Sequence, residues 1–333
     1  MNTCGNNEGN TIRNDNQSRQ TFSNGIRAAL VCLILFEPGC KPKEVLVPVK
    51  PASALPAEFP LPDRFPIVVP MKFRDVEYHF MLDTGCSLTS FNRKHRDLLG
   101  DYIKTYTTSG FLWQKIPVDA HAIPEEATMQ LGPIRIKGEV GVMDYSALGD
   151  WLARYDGLVG IDIMGQFLVQ FDFEKELLRF LRSDTRPDPN WGEPFDLELS
   201  GGTPHLRVRL TDSISEQFMI DTGAPLIYLT QEKFESLVRE QDPSTSYVRR
   251  PITQDSKDLA GAIIRKVSLE PLIYDSIRIV ESPRSFLGME FLRRHSLVTL
   301  DCQGRKLYLK LKCSDPTPPS GLGKPPVSDS NHP

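Results

Sequence analysis

Two aspartates close two apolar runs in this chain: Met81-Leu82-Asp83-Thr84-Gly85 and, further on, Met219-Ile220-Asp221-Thr222-Gly223. Asp and Gly are both disfavoured in strands, so each motif reads as a strand ending in a sharp turn that presents a carboxyl group at a fixed point. If the two points meet across a pseudo-twofold axis at ~4 Å and an effective dielectric of about 20, their charges repel by roughly 4 kcal/mol. That is about three pK units, so the pair holds one shared proton over a wide pH range and titrates as a unit. A half-ionised pair is base and acid at once. One carboxylate can take a proton from water while the other donates to a carbonyl oxygen, as peptide hydrolysis without a metal or a covalent intermediate requires. Thr84 and Thr222 can anchor the two turns across the interface, and Gly85 and Gly223 let backbone N–H groups reach the acids.

A second repeated pattern follows the first. Leu158-Val159-Gly160 and Phe286-Leu287-Gly288 are apolar pairs closed by glycine, where a missing side chain permits close backbone approach. Gly160 follows Asp83 by 77 residues and Gly288 follows Asp221 by 67, a difference one loop absorbs. The elements between and around them also repeat. Strands at 65–71 and 76–82 turn near Arg74-Asp75, with a short helical piece at 94–99; strands at 206–210 and 217–220 precede a helix near 232–239. Hairpins at 169–181 and 298–311 close the two halves. Order and spacing together indicate an internal duplication. The stretch 105–118, with Ser109-Gly110 followed by Phe111 and Trp113, reads either as a glycine-tipped lid or as an ordinary surface hairpin.

A chain of 333 residues, 40% hydrophobic and 25% charged, has room for two lobes and tails. Its net charge of -4 gives no basic footprint for nucleic acid. Six histidines without metal-binding spacing, and no GxSxG or Walker pattern, call for no metal and no cofactor. Residues 1–40 are expected to be a disordered N-terminus with a signal-like segment. The nine apolar residues 28–36 would span about 14 Å as helix, against a hydrocarbon core of roughly 30 Å, and match a signal-peptide h-region. Gly39-Cys40 resembles a bacterial lipoprotein cleavage point with Cys40 as the lipidation site, although Glu37 and Pro38 depart from that motif. Lipoprotein, cleaved secretory signal and fortuitous apolar patch stay open, with export and a periplasmic or cell-envelope location favoured and a membrane tether at the N-terminus allowed. Residues 41–62 read as a Pro-rich tether, 63–182 as lobe 1, 183–195 as a linker, 196–312 as lobe 2 and 313–333 as a disordered tail. No structural disulfide is expected, because Gln303-Gly304 reads as a hairpin turn that separates Cys302 from Cys313.

Over roughly residues 61–312 the chain resembles pepsin/retropepsin-type aspartic proteases, with both Asp-Thr-Gly motifs in one chain. The resemblance implies an all-β protein: two homologous retropepsin-like β-barrel lobes with short helices, related by a pseudo-twofold axis, with the active site between them. It implies an aspartic endopeptidase acting on polypeptides as a monomer, with Asp83 and Asp221 as catalytic dyad, Thr84 and Thr222 interlocking, and Gly160 and Gly288 packing behind the loops. A proton shared between two aspartates is the established behaviour of that family, so the coupling estimated above illustrates it. The flap does not transfer residue by residue; Gly110, Phe111 and Trp113 in the first half and Gly261 in the second are the positions nearest to one. Where pepsins carry Ser or Thr after Asp-Thr-Gly, this chain has Cys86 and Ala224, and losing those hydroxyls should raise the pKa values of the dyad. A protease-like fold kept only for binding peptides or envelope proteins is the alternative.

Overall fold

The computed structural model describes residues 35–36, 55–109, 115–124, 127–240, 247–251, 258–269 and 271–312. Cys40, Gly110, Phe111, Trp113 and Cys313 lie outside them. The protein is all-β, with strands arranged in two lobes and joined by short helices.

The duplication is visible strand by strand. In lobe 1 the sheet order is Tyr102–Ser109, Lys115–Ala122, Glu139–Met143, Ser90–Asn92, Gly157–Val159, Val76–Leu82, Val68–Phe73. In lobe 2 it is Tyr247–Pro251, Asp258–Leu269, Leu272–Ser282, Ile227–Thr230, Phe286–Leu287, Ser215–Ile220, Thr203–Arg209. Seven strands thus recur in one order with the same crossovers. The strand that delivers each aspartate begins exposed and ends in three consecutive buried residues, Phe80-Met81-Leu82 and Phe218-Met219-Ile220. Alternation fails there because the strand end is covered on both faces, which is why the sequence shows an unbroken apolar run.

One segment accounts for the unequal spacing of the two halves. Between Glu139–Met143 and Gly157–Val159, lobe 1 carries residues 144–156, a 3-10 turn Tyr145–Leu148 and a helical turn Asp150–Ala153. Lobe 2 goes from Leu272–Ser282 to Phe286–Leu287 through residues 283–285 alone. Asp144 caps the insertion by accepting from the Ser146 backbone N–H at 3.0 Å. Tyr145, Leu148 and Leu152 are buried against Met81, Cys86 and Leu158, and the Tyr145 hydroxyl donates to the Ser90 carbonyl at 2.8 Å. The insertion therefore packs onto the first aspartate's loop and has no equivalent on the second.

The lobes are joined by a continuous antiparallel sheet. Leu168–Asp172 pairs with His295–Asp301 in the register Leu168↔Asp301 to Asp172↔Leu297, and the buried Gln170 side-chain amide donates to Thr299 at 3.1 Å. Leu177–Leu181 and Ala57–Pro60 extend this sheet on one side, Lys306–Leu311 and Glu193–Ser200 on the other. Two boundaries change accordingly. Ala57–Pro60, inside the span read as a tether, is an edge strand with Phe59 opposite Leu178; proline at its end is tolerated because an edge needs no further donor. Glu193–Ser200 begins inside the span read as a linker, just after Trp191 packs edge-on against Tyr308 with ring centres 5.4 Å apart.

Smaller expectations were met with small shifts. The first strand pair is Val68–Phe73 and Val76–Leu82, with Arg74 and Asp75 at φ 49° and 65° in the turn. The helical pieces are Arg93–Leu98 and Gln231–Glu240. Asp301, one residue before Cys302, pairs with Lys306, and both Cys86 and Cys302 are free.

Candidate active site

Each aspartate sits at the end of a strand that a second strand crosses. Gly157–Val159 runs parallel to Phe80-Met81-Leu82 and antiparallel to Ser90 and Phe91, so it passes between the two arms of the Asp83 loop. Phe286–Leu287 does the same between Met219-Ile220 and Ile227-Tyr228. The Asp83 backbone N–H donates to Val159 O at 3.0 Å, and the Asp221 N–H to Leu287 O at 3.1 Å. The glycine that follows each crossing strand is enclosed by the loop backbone. A Cβ on Gly160 would lie 2.7 Å from the Leu88 carbonyl carbon and 2.8 Å from Cys86 O; one on Gly288 would lie 2.2 Å from Leu226 O and 2.4 Å from Ala224 O. Both residues have extended backbone, so space, not dihedral freedom, requires glycine there.

The threonines interlock across the pseudo-twofold axis. Thr84 N–H donates to Thr222 Oγ1 at 3.0 Å, and Thr222 N–H donates to Thr84 Oγ1 at 3.0 Å. Each hydroxyl then donates onward to the opposite lobe, Thr84 to Ile220 O at 2.7 Å and Thr222 to Leu82 O at 3.0 Å. Four buried hydrogen bonds thereby fix one loop against the other, and both threonines are fully buried. Leaving any of these groups unpaired would cost about 1–3 kcal/mol.

This lock brings the two acids together. Asp83 and Asp221 are 0% and 1% exposed. Oδ1 of Asp83 accepts from Gly85 N–H at 2.9 Å, and Oδ1 of Asp221 from Gly223 N–H at 2.8 Å. Gly85 is held so close to the opposite acid that a Cβ there would lie 2.8 Å from Asp221 Cγ. Oδ2 of each acid is buried with no donor from outside the pair, and the two side chains lie within hydrogen-bonding reach of one another once one of them is protonated. Burial raises the pKa of both carboxyls. The charge of Asp221 and the hydrogen bond between the two side chains raise Asp83 further, while that same bond and then the Gly223 and Ala224 N–H groups partly offset the rise at Asp221. A pair in that state keeps a proton well above the ordinary carboxylate range.

Among solved structures, the chain is similar to the crystal structure of a retropepsin-like aspartic protease from Rickettsia conorii, with 23% sequence identity and a TM-score of 0.28 over 35% of this chain and 90% of that one. No family model matches the sequence, and no curated protein matches it.

Positions next to the dyad differ between the lobes. The Cys86 thiol donates to Leu88 O at 2.9 Å and does not reach Asp83; burial, then the charge of Asp83, pushes its pKa well up. Ala224 offers no side-chain donor at the matching site. Tyr102–Ser109 and Lys115–Ala122 form the expected lobe 1 hairpin, and its tip, with Gly110, Phe111 and Trp113, falls outside the described residues. In lobe 2, Gly261 lies within the strand Asp258–Leu269, opposite Val248 and Val280, and not at a hairpin tip. Among the described residues no group of His, Cys, Asp and Glu is arranged to hold a metal ion, and no helix is long and apolar enough to cross a membrane.

Two residues of the site went unnoticed in the sequence. Thr89 stands six positions after Asp83 and Asp162 two after Gly160, and the pair is hydrogen-bonded beneath the first loop. At the same offsets the second half has Ile227 and Glu290. Aligning the two halves at those offsets exposes the pair, because a polar couple in one copy is replaced at both of its positions in the other.

Proposed function

We propose that this chain is an aspartic endopeptidase in which Asp83 and Asp221, one from each lobe, activate a single water for attack on a peptide carbonyl. The observation that carries the reading is the meeting of two buried carboxyls at the lobe junction, each with one oxygen tied to its own loop and the other given no donor from outside the pair. A structural aspartate buried this deeply would be expected to have both oxygens paired. Here the two oxygens left facing one another supply what a shared proton and a bound water need.

In the proposed reaction the ionised member of the dyad takes a proton from the water as its oxygen attacks the carbonyl carbon. The protonated member donates to the carbonyl oxygen, giving a neutral tetrahedral diol. Collapse returns a proton to the dyad and delivers one to the departing amine, so the C–N bond breaks with charge balanced at each step. Because both acids are raised, the half-ionised state that can do this extends toward weakly acidic and neutral pH. One chain supplies both acids, so a monomer suffices and the substrate is polypeptide.

The test is cleavage of an unfolded protein by the purified chain across pH 3–8, with and without a statine-type transition-state analogue. Cleavage blocked by the analogue supports the reading. Binding of unfolded polypeptide without cleavage at any pH would replace it with that of a peptide-binding module.

A further inference from the structure

The lobes share strand order, interlocking threonines and enclosed glycines, yet they close their loops by different chemistry. In lobe 1 the Asp162 carboxylate gathers three donors on one oxygen: Thr89 N–H at 2.9 Å, Thr89 Oγ1–H at 2.7 Å and Ile163 N–H at 3.0 Å. The Thr89 hydroxyl, its proton committed to Asp162, accepts from Gly160 N–H at 3.0 Å. Gly160 follows Val159, whose carbonyl holds the Asp83 N–H. A continuous path of hydrogen bonds and one peptide link therefore runs from Asp162 through Thr89 and Gly160 to the backbone of Asp83.

Lobe 2 has no such path among its described residues. Ile227, at the Thr89 position, is buried as an apolar side chain. Glu290, at the Asp162 position, turns outward to Arg278, with its Oε2 accepting from Nη2 at 2.9 Å and Nε at 3.2 Å. Gly288 N–H donates instead to the backbone carbonyl of Leu226 at 3.1 Å. At the enclosed glycine the Asp221 loop is held by backbone and apolar packing alone. Its hydroxyl–carboxylate contact lies further along the arm, where Ser285 Oγ accepts from Thr230 N–H at 3.1 Å and donates to Glu216 at 2.9 Å. The Asp83 loop has a hydroxyl and a carboxylate at the glycine itself.

From this difference we infer that Asp162 and Thr89 are positioning residues for Asp83, a bracket present in one lobe only, so that the two acids of the dyad are held unequally. Neither residue touches substrate. They act by fixing the arm of the loop on the far side of the crossing strand. The inference rests on the proposed protease reading for its kinetic consequence and on geometry alone for the rest.

The experiment compares the full chain with Thr89→Val, Thr89→Ser, Asp162→Ala, Asp162→Asn and Glu290→Ala, each checked for cooperative unfolding. It follows peptide cleavage and, in parallel, the titration of the Asp83 carboxyl carbon by NMR. Loss of loop alignment of this kind lowers kcat by roughly 10- to 100-fold, and this is expected for Asp162→Ala and Thr89→Val, with KM unchanged within about twofold and the Asp83 titration displaced. Asp162→Asn keeps the accepting oxygen and Thr89→Ser keeps the hydroxyl, so both should recover most of kcat, while Glu290→Ala should behave as wild type. A folded Thr89→Val or Asp162→Ala with wild-type kcat and Asp83 titration would overturn the inference, as would an equal loss in Glu290→Ala. If Asp162→Ala does not fold, Thr89→Val, which keeps the side-chain shape, decides. If the wild type cleaves nothing, the protease reading fails, and the Asp83 titration still decides whether the bracket positions that residue.

Discussion

Lobe 1 and lobe 2 carry the same seven strands in the same order, and at the dyad their backbones are nearly interchangeable. Ile161 N–H donates to Cys86 O at 2.8 Å, and Met289 N–H donates to Ala224 O at 2.8 Å. Around that shared frame the lobes diverge. Lobe 1 has the insertion at residues 144–156, the Thr89–Asp162 bracket and Cys86; lobe 2 has a three-residue connection, an apolar Ile227 and Ala224. What is common marks what two acids need in order to meet: a strand that ends in Asp-Thr-Gly, a crossing strand with glycine against the loop, and threonines that lock the halves. What differs marks where a single chain, unlike two identical subunits, is free to make its halves unequal.

The strongest challenge to that comparison is to fill the enclosed glycines. Overpacking in a tight site costs about 1–3 kcal/mol and occasionally more, and here the new Cβ would meet backbone, which cannot rotate away. Gly288→Ala, with contacts down to 2.2 Å, should destabilise more than Gly160→Ala at 2.7 Å, as read by urea unfolding. Equal or negligible losses would mean that the crossing strands are looser than described.

The interlocking threonines come next. Thr84→Val and Thr222→Val each remove a donor and an acceptor from the four-bond lock, with an expected cost of about 2–3 kcal/mol each. Because the lock is symmetric, the two values should agree and their combination should be non-additive. A large difference between them would show that one lobe carries the junction.

Asp162 gives a signed pH effect confined to lobe 1. Burial raises its carboxyl from 3.8 to about 6, against the pull of the Thr89 and Ile163 donors. Ionising it therefore costs folding stability, a cost absent below its unfolded value near 3.8, growing as pH rises to about 6 and complete above. Two pK units correspond to about 3 kcal/mol, and because the residue keeps some exposure roughly 1–2 kcal/mol is expected. The nearby Cys86 thiol stays neutral throughout this range. Asp162→Asn should thus gain stability over the wild type as pH is raised from 4 to 7, in thermal melts taken at both ends. A gain that is the same at both ends would contradict the burial of this carboxyl.

The smallest expected effect is at Cys86. Its thiol already donates to Leu88 O, and a serine in the same rotamer would do likewise. Cys86→Ser should move the pH profile of cleavage by less than about half a unit, within what an uncharged neighbour can do. A larger acid shift would show the hydroxyl turning to Asp83.

The part of this arrangement that sequence could reveal is the part fixed by local steric rules. Asp-Thr-Gly after an apolar run, and glycine after an apolar pair, are readable because only those residue types fit a turn against an acid or a backbone against a backbone. Hairpins such as Leu168–Asp172 with Leu177–Leu181 were legible through their polar turns. Ala57–Pro60 was not, since its alternation of buried Ala57 and Phe59 with exposed Glu58 and Pro60 is only four residues long among prolines, and its edge is defined by its pairing to Leu177–Leu181. The insertion was visible only as extra length; its place followed from the pairing of Glu139–Met143 with Ser90–Asn92. Thr89 and Asp162 are 73 residues apart and join through a fold that neither encodes locally.

The central claim is that two lobes make one site. It is tested most directly by the cleavage rates of Asp83→Asn, Asp221→Asn and the double variant under single-turnover conditions. Groups that act as a unit lose nearly all activity when either is removed. Each single variant is predicted to fall as far as the double. Activity surviving in either single variant, or losses that multiply in the double, would show that Asp83 and Asp221 do not share one reaction.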